Sequence, residues 1–224
     1  MDYIVGLTFL NTIIGLIAHR YQLSLTIYLD KVMKKIFLSA SIPSFGRKYY
    51  EGSNPLLIRE AVVAFTRVCM EYNIEFYFGG HPAISPLIYQ IAKNYIGDKK
   101  APIRIYQSAW FKDMTPAEIK YYGNIVWTPK CESVESSVML MRNQMFEENT
   151  DTCCAVFIGG MDGILDEAEK IRLKCPGVKM LPIASSGCAS AKVYENLGIH
   201  NPDMESNTVY LKAFRKLLEP YKQI

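Results

Sequence analysis

The sequence contains no CxxC pair and only three histidines, His19, His81 and His200. A zinc site is therefore not expected, and neither a metal nor a cofactor is assigned. The six cysteines stand at 69, 131, 153, 154, 175 and 188, and Cys153–Cys154 falls within an apolar run. They read as reduced core thiols of a cytoplasmic protein rather than as a disulfide framework. Charge of one sign is also scarce. The 25 Lys+Arg against 22 Asp+Glu leave a net charge of +3 with no basic block, which does not favour nucleic acid as a partner. After residue 35 there is no linker-like shift in composition and no internal repeat. Half of the 224 residues are hydrophobic and 21% charged, which excludes wholesale disorder and suits one domain with a full core.

The N-terminus departs from this pattern. Residues 3–19, YIVGLTFLNTIIGLIAH, are almost uncharged and end at Arg20. At about 17 residues the run is at the lower limit for a spanning helix, and Thr8, Asn11 and Thr12 interrupt it. It makes a poor secretory signal, because Asp2 is the only charge before it and no small-residue cleavage site follows. Three readings compete. The run is a membrane helix that attaches the protein to a bilayer, an amphipathic or oligomerising helix suited to an expected homo-oligomer, or upstream sequence ahead of a start at Met33. Residues 1–32 are accordingly separated as a hydrophobic appendage from a domain at 33–224.

From Met33 onward, apolar runs alternate with segments of helical spacing. KIFLSA (35–40) is a strand, and Asn54-Pro55 supplies an N-cap and a first-turn proline for a helix reaching about Tyr72. IEFYF (74–78) is the second strand, and AISPLIYQIAKNYI (83–96) reads as a helix with Pro86 in its first turn. PIRIYQS (102–108) is the third strand, followed by a polar excursion with a short helix begun by Thr115-Pro116. NIVWT (124–128) is the fourth strand. A helix at about 133–148 places Val134, Val138, Met141 and Met145 on one stripe. TCCAVFI (152–158) is continuous and apolar, as a strand buried on both faces should be. FIGGMDGILDEAEKI (157–171) then runs through a glycine pair and a third glycine into a helix, VKMLPIA (178–184) is a sixth strand, and VYLKAFRKLL the closing helix. The expected class is α/β: a Rossmann-like three-layer sandwich with a mainly parallel sheet, preceded by the hydrophobic N-terminal helix.

Such a sheet binds its ligand at the carboxyl ends of the strands, where the strand order reverses. Strand one ends in Ser39-Ala40-Ser41, strand two in Gly79-Gly80-His81, strand five in Gly159-Gly160 with Asp162-Gly163 close behind, and strand six in Ser185-Ser186-Gly187. Small residues there let an anion approach main-chain N–H groups, and the helix dipole behind them adds to the attraction. A phosphate-bearing ligand is expected. Asp162, Asp166 and Glu167 also suit the start of a helix whatever the ligand. His81 reads more readily as a packing or hydrogen-bonding group than as a base. In WFKDM (110–114), Trp110 or Phe111 could stack on a base or simply anchor the loop.

These segments resemble the SLOG superfamily, the Rossmann-like group that includes the LOG cytokinin-activating enzymes, the DNA-processing protein Smf and nucleotide-sensor domains of prokaryotic defence systems. FLSASIP is similar to the first strand and its loop, IEFYFGGHPAISPLI to the second strand with its glycine pair, and MLMRNQM to the segment whose arginine helps position the ligand, here Arg142. FIGGMDGILDEAE resembles the signature PGGxGTxxE, with Gly163 and Glu167 at its last glycine and its glutamate. It departs from the signature by an extra residue between Gly160 and Gly163, by Ile158 for proline and by Ile164 for threonine. The defence-associated SLOG domains are the most similar group.

The resemblance implies two functions. One is a sensor that binds a nucleotide or an ADP-ribose-derived signal in a defence or signalling system, which the altered signature favours. The other is an enzyme, a nucleoside 5′-monophosphate N-glycosidase or a ribosyl transferase, in which Glu167 and Arg142 would be catalytic. A DNA-binding role of the Smf kind is disfavoured by the weak charge.

Overall fold

The computed structural model describes residues 34–96, 102–117 and 124–223. The appendage at 1–32, its candidate helix and the boundary at Met33 lie outside them, as does most of the helix expected after Thr115-Pro116. Among the described residues no helix is long and apolar enough to cross a membrane.

Six strands, β1 (Lys35–Ser41), β2 (Glu75–Gly79), β3 (Ile103–Ser108), β4 (Ile125–Thr128), β5 (Cys154–Gly159) and β6 (Lys179–Ile183), form one sheet. Every adjacent pair is parallel, in the order β4-β3-β2-β1-β5-β6. The α/β, Rossmann-like expectation is met, and the sheet is wholly rather than mainly parallel. Parallel neighbours need crossovers, and helices supply them: α1 (Pro55–Glu71), α2 (Ser85–Ile96), α3 (Val134–Glu147) and α4 (Asp162–Lys174). α5 (Cys188–Leu197), the short α6 (Pro202–Glu205) and α7 (Tyr210–Leu217) follow β6.

The two-residue period of β1 divides the core. Ile36 and Leu38 enter a cluster with Ile58 and Phe65 of α1, Ile88 of α2 and Phe214 of α7. Phe37 points the other way, into Met141, Met145 and Phe146 of α3, Ile171 of α4 and Val193 of α5. Phe65 packs edge-on against Phe76 and Phe214, at centroid distances of 5.1 and 5.6 Å. The chain winds outward from β1 to β4, then crosses back along α3 to place β5 on the free side of β1. That reversal opens a crevice over the carboxyl ends of β1 and β5.

α3 carries Val138, Met141 and Arg142 into this crevice. α3 begins with a capping box between Ser133 and Ser136. Its far end is tied to the sheet by Asn149, whose side-chain N–H groups donate to Met145 O at 2.7 Å and to the Tyr106 hydroxyl at 2.9 Å. Of the expected stripe, Met141 and Met145 are buried, Val138 is half-buried and Val134 is 36% exposed. α5 is an element that apolar spacing does not announce. Its buried face is built from Ala189, Ser190, Val193 and Tyr194, and it is bracketed by Gly187 and by a left-handed Gly198. Between β3 and β4, Ala109–Met114 form a 3-10 helix whose Trp110 N–H donates to Ser108 Oγ.

Candidate functional site

A cavity of about 720 Å³ lies over the crevice. That volume suits a small organic ligand. Ser39, Ala40 and Ser41 of β1, Gly79, Gly80 and His81 after β2, and Asp162, Gly163 and Glu167 of α4 line it, with Arg142 reaching in from α3. These expected site residues are thus gathered around one space from two strand ends, the start of α4 and the middle of α3.

Glu167 lies at the centre of the polar contacts. It is one turn into α4, its side chain is 12% exposed, and Arg142 Nε donates to its Oε1 at 2.8 Å. Ser39 Oγ donates to Oε2 at 2.5 Å. Arg142 Nη1 also approaches Asp166 Oδ2 at 3.9 Å. Gly163 makes room for this arginine, since a Cβ on Gly163 would overlap Arg142 Nη2. A half-buried pair of this kind contributes little net stability, but removing either partner strands a charge in a poorly solvated place.

The rim adds cations that the strand-end pattern does not reveal. Arg47 and Lys48, in the loop after β1, line the cavity. Lys48 Nζ donates to Asp162 Oδ1 at 2.7 Å, and this carboxylate holds the lysine above its ordinary pKa. Met161 provides no side-chain cap for α4, so the helix starts at the cavity with its first-turn amides uncapped by a side chain. Arg47-Lys48 sits immediately beyond SASIPSFG, the loop that the first strand empties into. That adjacency was the available signal.

Gly159, Gly160, Ser185, Ser186 and Gly187 do not line the cavity. Both glycines are buried at positive φ, +60° and +85°. The Gly159 N–H donates to Ser186 Oγ at 2.8 Å and the Gly160 N–H to Ser41 O at 2.8 Å. A Cβ on Gly159 would come within 2.6 Å of Ile58 Cδ1, and one on Gly160 would overlap Ile164 Cδ1. The pair therefore lets β5 turn tightly between Ile58 and Ile164. Ser186 Oγ donates in turn to Ile183 O, and Ser185 Oγ to Asn207 O, so both hydroxyls brace the end of β6.

The remaining wall is mostly apolar: Phe111, Met114, Pro116, Val138 and Met141. Of the two aromatic candidates, Phe111 faces the cavity, while the Trp110 ring lies under Lys130 Nζ at 4.3 Å. His81 Nδ1 accepts the Ala83 N–H at 3.2 Å, which leaves the proton of the neutral ring on Nε2. Burial pushes its pKa down to about 4, so His81 is a neutral hydrogen-bonding group at physiological pH. Gln107 of β3 also lines the cavity. Among the described residues no three His, Cys, Asp or Glu side chains are grouped to hold a metal ion. All six cysteines are free, and burial pushes the Cys69 and Cys154 thiols well up.

The fold and site define a doubly wound α/β domain with a ligand cavity at its topological switch point. Residues 48–218 match the SLOG cluster3 family. The chain belongs to that family, a group of nucleotide-related Rossmann-like domains. No protein of curated function matches it.

Proposed function

We propose that the domain binds a nucleotide or nucleotide-derived ligand and acts as a sensor. The observation that carries this reading is the division of the cavity. Arg47, Lys48, Arg142 and the uncapped start of α4 lie toward the β1–β5 side, and Phe111, Met114 and Pro116 follow β3 on the other. An anionic group suits the first and a flat ring the second. A sensing role is favoured because both oxygens of Glu167 already receive donors and, among the described residues, Asp162 is the one other carboxylate that lines the cavity. Asp162, the other acid on the wall, is paired to Lys48. The ligand classes that fit are nucleoside phosphates and ADP-ribose derivatives. The resemblance to SLOG domains of prokaryotic defence systems supports a place in such a system, with self-association or membrane attachment supplied through residues 3–19.

One observation keeps an enzymatic reading in view. Ser39 and Arg142 fix the Glu167 carboxylate at the cavity wall, where it could stabilise positive charge developing at a ribose during N-glycosidic cleavage. Incubation with AMP, NAD and ADP-ribose, followed by chromatography for free base or nicotinamide, separates the two. A sensor binds at least one of these compounds and releases nothing, and Glu167→Gln changes its affinity alone. Steady release that Glu167→Gln reduces by roughly two or more orders of magnitude would establish the enzyme instead.

A further inference from the structure

Gln107 has no part in the contacts described so far. It is the fifth residue of β3 and only 6% exposed. Its Oε1 is fully buried without a partner, and among the described residues its amide makes no hydrogen bond. An unpaired buried amide carries the full cost of its desolvation, so such a group in a native fold calls for a partner from outside the chain. Gln107 lines the cavity, which is where that partner can come from. Gly80 clears the space for it, because a Cβ on Gly80 would overlap Gln107 Oε1.

The position of Gln107 indicates which part of a ligand it meets. β3 is separated from β5, and hence from the start of α4, by three strand spacings, about 14 Å at 4.8 Å per step. The cations gather toward the β1–β5 crevice, while Gln107 has Phe111 and Met114 as fellow wall residues. Among the described residues, this wall offers a second phosphate no cation. A ring would find an apolar surface and, at its edge, the Gln107 amide, whose Oε1 is sealed against Gly80 and whose Nε2 is the end left to meet a ligand.

We propose that Gln107 reads the ligand's base, donating its Nε2–H to an acceptor on the edge of a nucleobase. The assignment rests on the nucleotide reading of the cavity. It deepens that reading by giving the base end a specificity-determining residue. Arg142 and the α4 terminus hold the anion, and Gln107 discriminates among the compounds that share it.

The test is calorimetry of wild type and Gln107→Leu with AMP, GMP, CMP, UMP and ribose 5-phosphate, together with melting of the unliganded proteins. Wild type is expected to bind at least one mononucleotide more tightly than ribose 5-phosphate. Gln107→Leu should weaken that mononucleotide by roughly 10-fold and leave ribose 5-phosphate unchanged. The unliganded variant should melt at or above wild type, because an unpaired buried amide has been replaced by an apolar group of similar size. Gly80→Ala, which displaces the amide without removing it, should reproduce the loss of preference and carries the comparison if Gln107→Leu does not fold. Three results would overturn the assignment while leaving the nucleotide reading intact: an unchanged mononucleotide affinity in the variants, an equal loss for ribose 5-phosphate, or a lowered melting temperature of unliganded Gln107→Leu. A wild type that binds ribose 5-phosphate, and mononucleotides no better, also overturns it. A wild type that binds none of the five compounds, nor NAD or ADP-ribose, overturns the nucleotide reading itself, and Gln107 with it; where only NAD or ADP-ribose binds, the same loss on Gln107→Leu is required for that compound.

Discussion

At the scale of single residues, burial and pairing decide what each polar group in the cavity can do. His81 accepts a backbone N–H and loses its affinity for a proton to burial, with its pKa lowered to about 4. Its unfolded value is near 6.5, so the unfolded chain takes up a proton first as the pH falls. The stability that neutral His81 contributes is intact above the unfolded value and is lost as the pH drops from about 6.5 toward 4. Between pH 7 and 5 this amounts to about 2 kcal/mol. His81→Asn keeps an acceptor for the Ala83 N–H but does not titrate, so its urea stability should fall less over that interval by about the same amount. Equal pH slopes for the two proteins would show that native His81 takes up a proton as readily as the unfolded chain does. Arg142 and Glu167 have a different dependence, because each is the partner of the other at 2.8 Å. Arg142→Ala removes a charge-assisted contact and leaves the carboxylate of Glu167 facing the anionic end. Nucleotide affinity should drop by roughly 1.5–3 kcal/mol, and an unchanged dissociation constant in calorimetry would count against the anion site.

At the scale of elements, the β5–α4 turn contains glycines with opposite duties. Gly160 is at φ +85° with Ile164 against it, so Gly160→Val combines a strained backbone with overpacking. The expected loss is roughly 2–5 kcal/mol of folding stability. Gly163 lies in the first turn of α4 at ordinary backbone angles, and the atom that a new Cβ would meet is the far end of Arg142. Gly163→Ala should therefore cost far less stability than Gly160→Val, because about 1 kcal/mol of helix propensity offsets the disturbed Arg142–Glu167 pair, while turning Arg142 out of place and weakening ligand binding. Urea melts and calorimetry on the same two variants check the contrast. A Gly163→Ala protein that binds as wild type does would remove Arg142 from the ligand's contacts.

At the scale of the whole molecule, the sheet is held by two separate clusters, and the cavity depends on both. Phe214 of α7 is fully buried against Phe65 of α1, and α1 also contributes Ile58 beneath Gly159. Phe214→Ala should cost about 3–5 kcal/mol in urea unfolding. Ligand affinity should change little, because no residue of α7 lines the cavity. A large loss of affinity at a small cost in stability would mean that α7 communicates with the site through α1.

Much of this architecture is written locally. Asn54-Pro55 marks the start of α1, and its side chain does accept the Leu56 and Leu57 N–H groups. CCAVFI is apolar throughout because β5 lies at the interior of the sheet, buried on both faces. The small residues at the strand ends and the resemblance to SLOG proteins followed from the same short segments, because periodicity and turn chemistry act over a few residues. What the segments could not show was who meets whom. Ser39 and Glu167 are 128 positions apart, and their contact exists only because β5 is inserted beside β1. Gln107 looks like one more polar residue in a strand until Gly80 opens beside it. Gly159 and Gly160 look like a phosphate cradle until their N–H groups are found donating to Ser186 and Ser41. Local sequence determined the elements and the faces they bury. Strand order and register, set by the packing of the two clusters, decided which side chains share the cavity and which backbone amides turn inward.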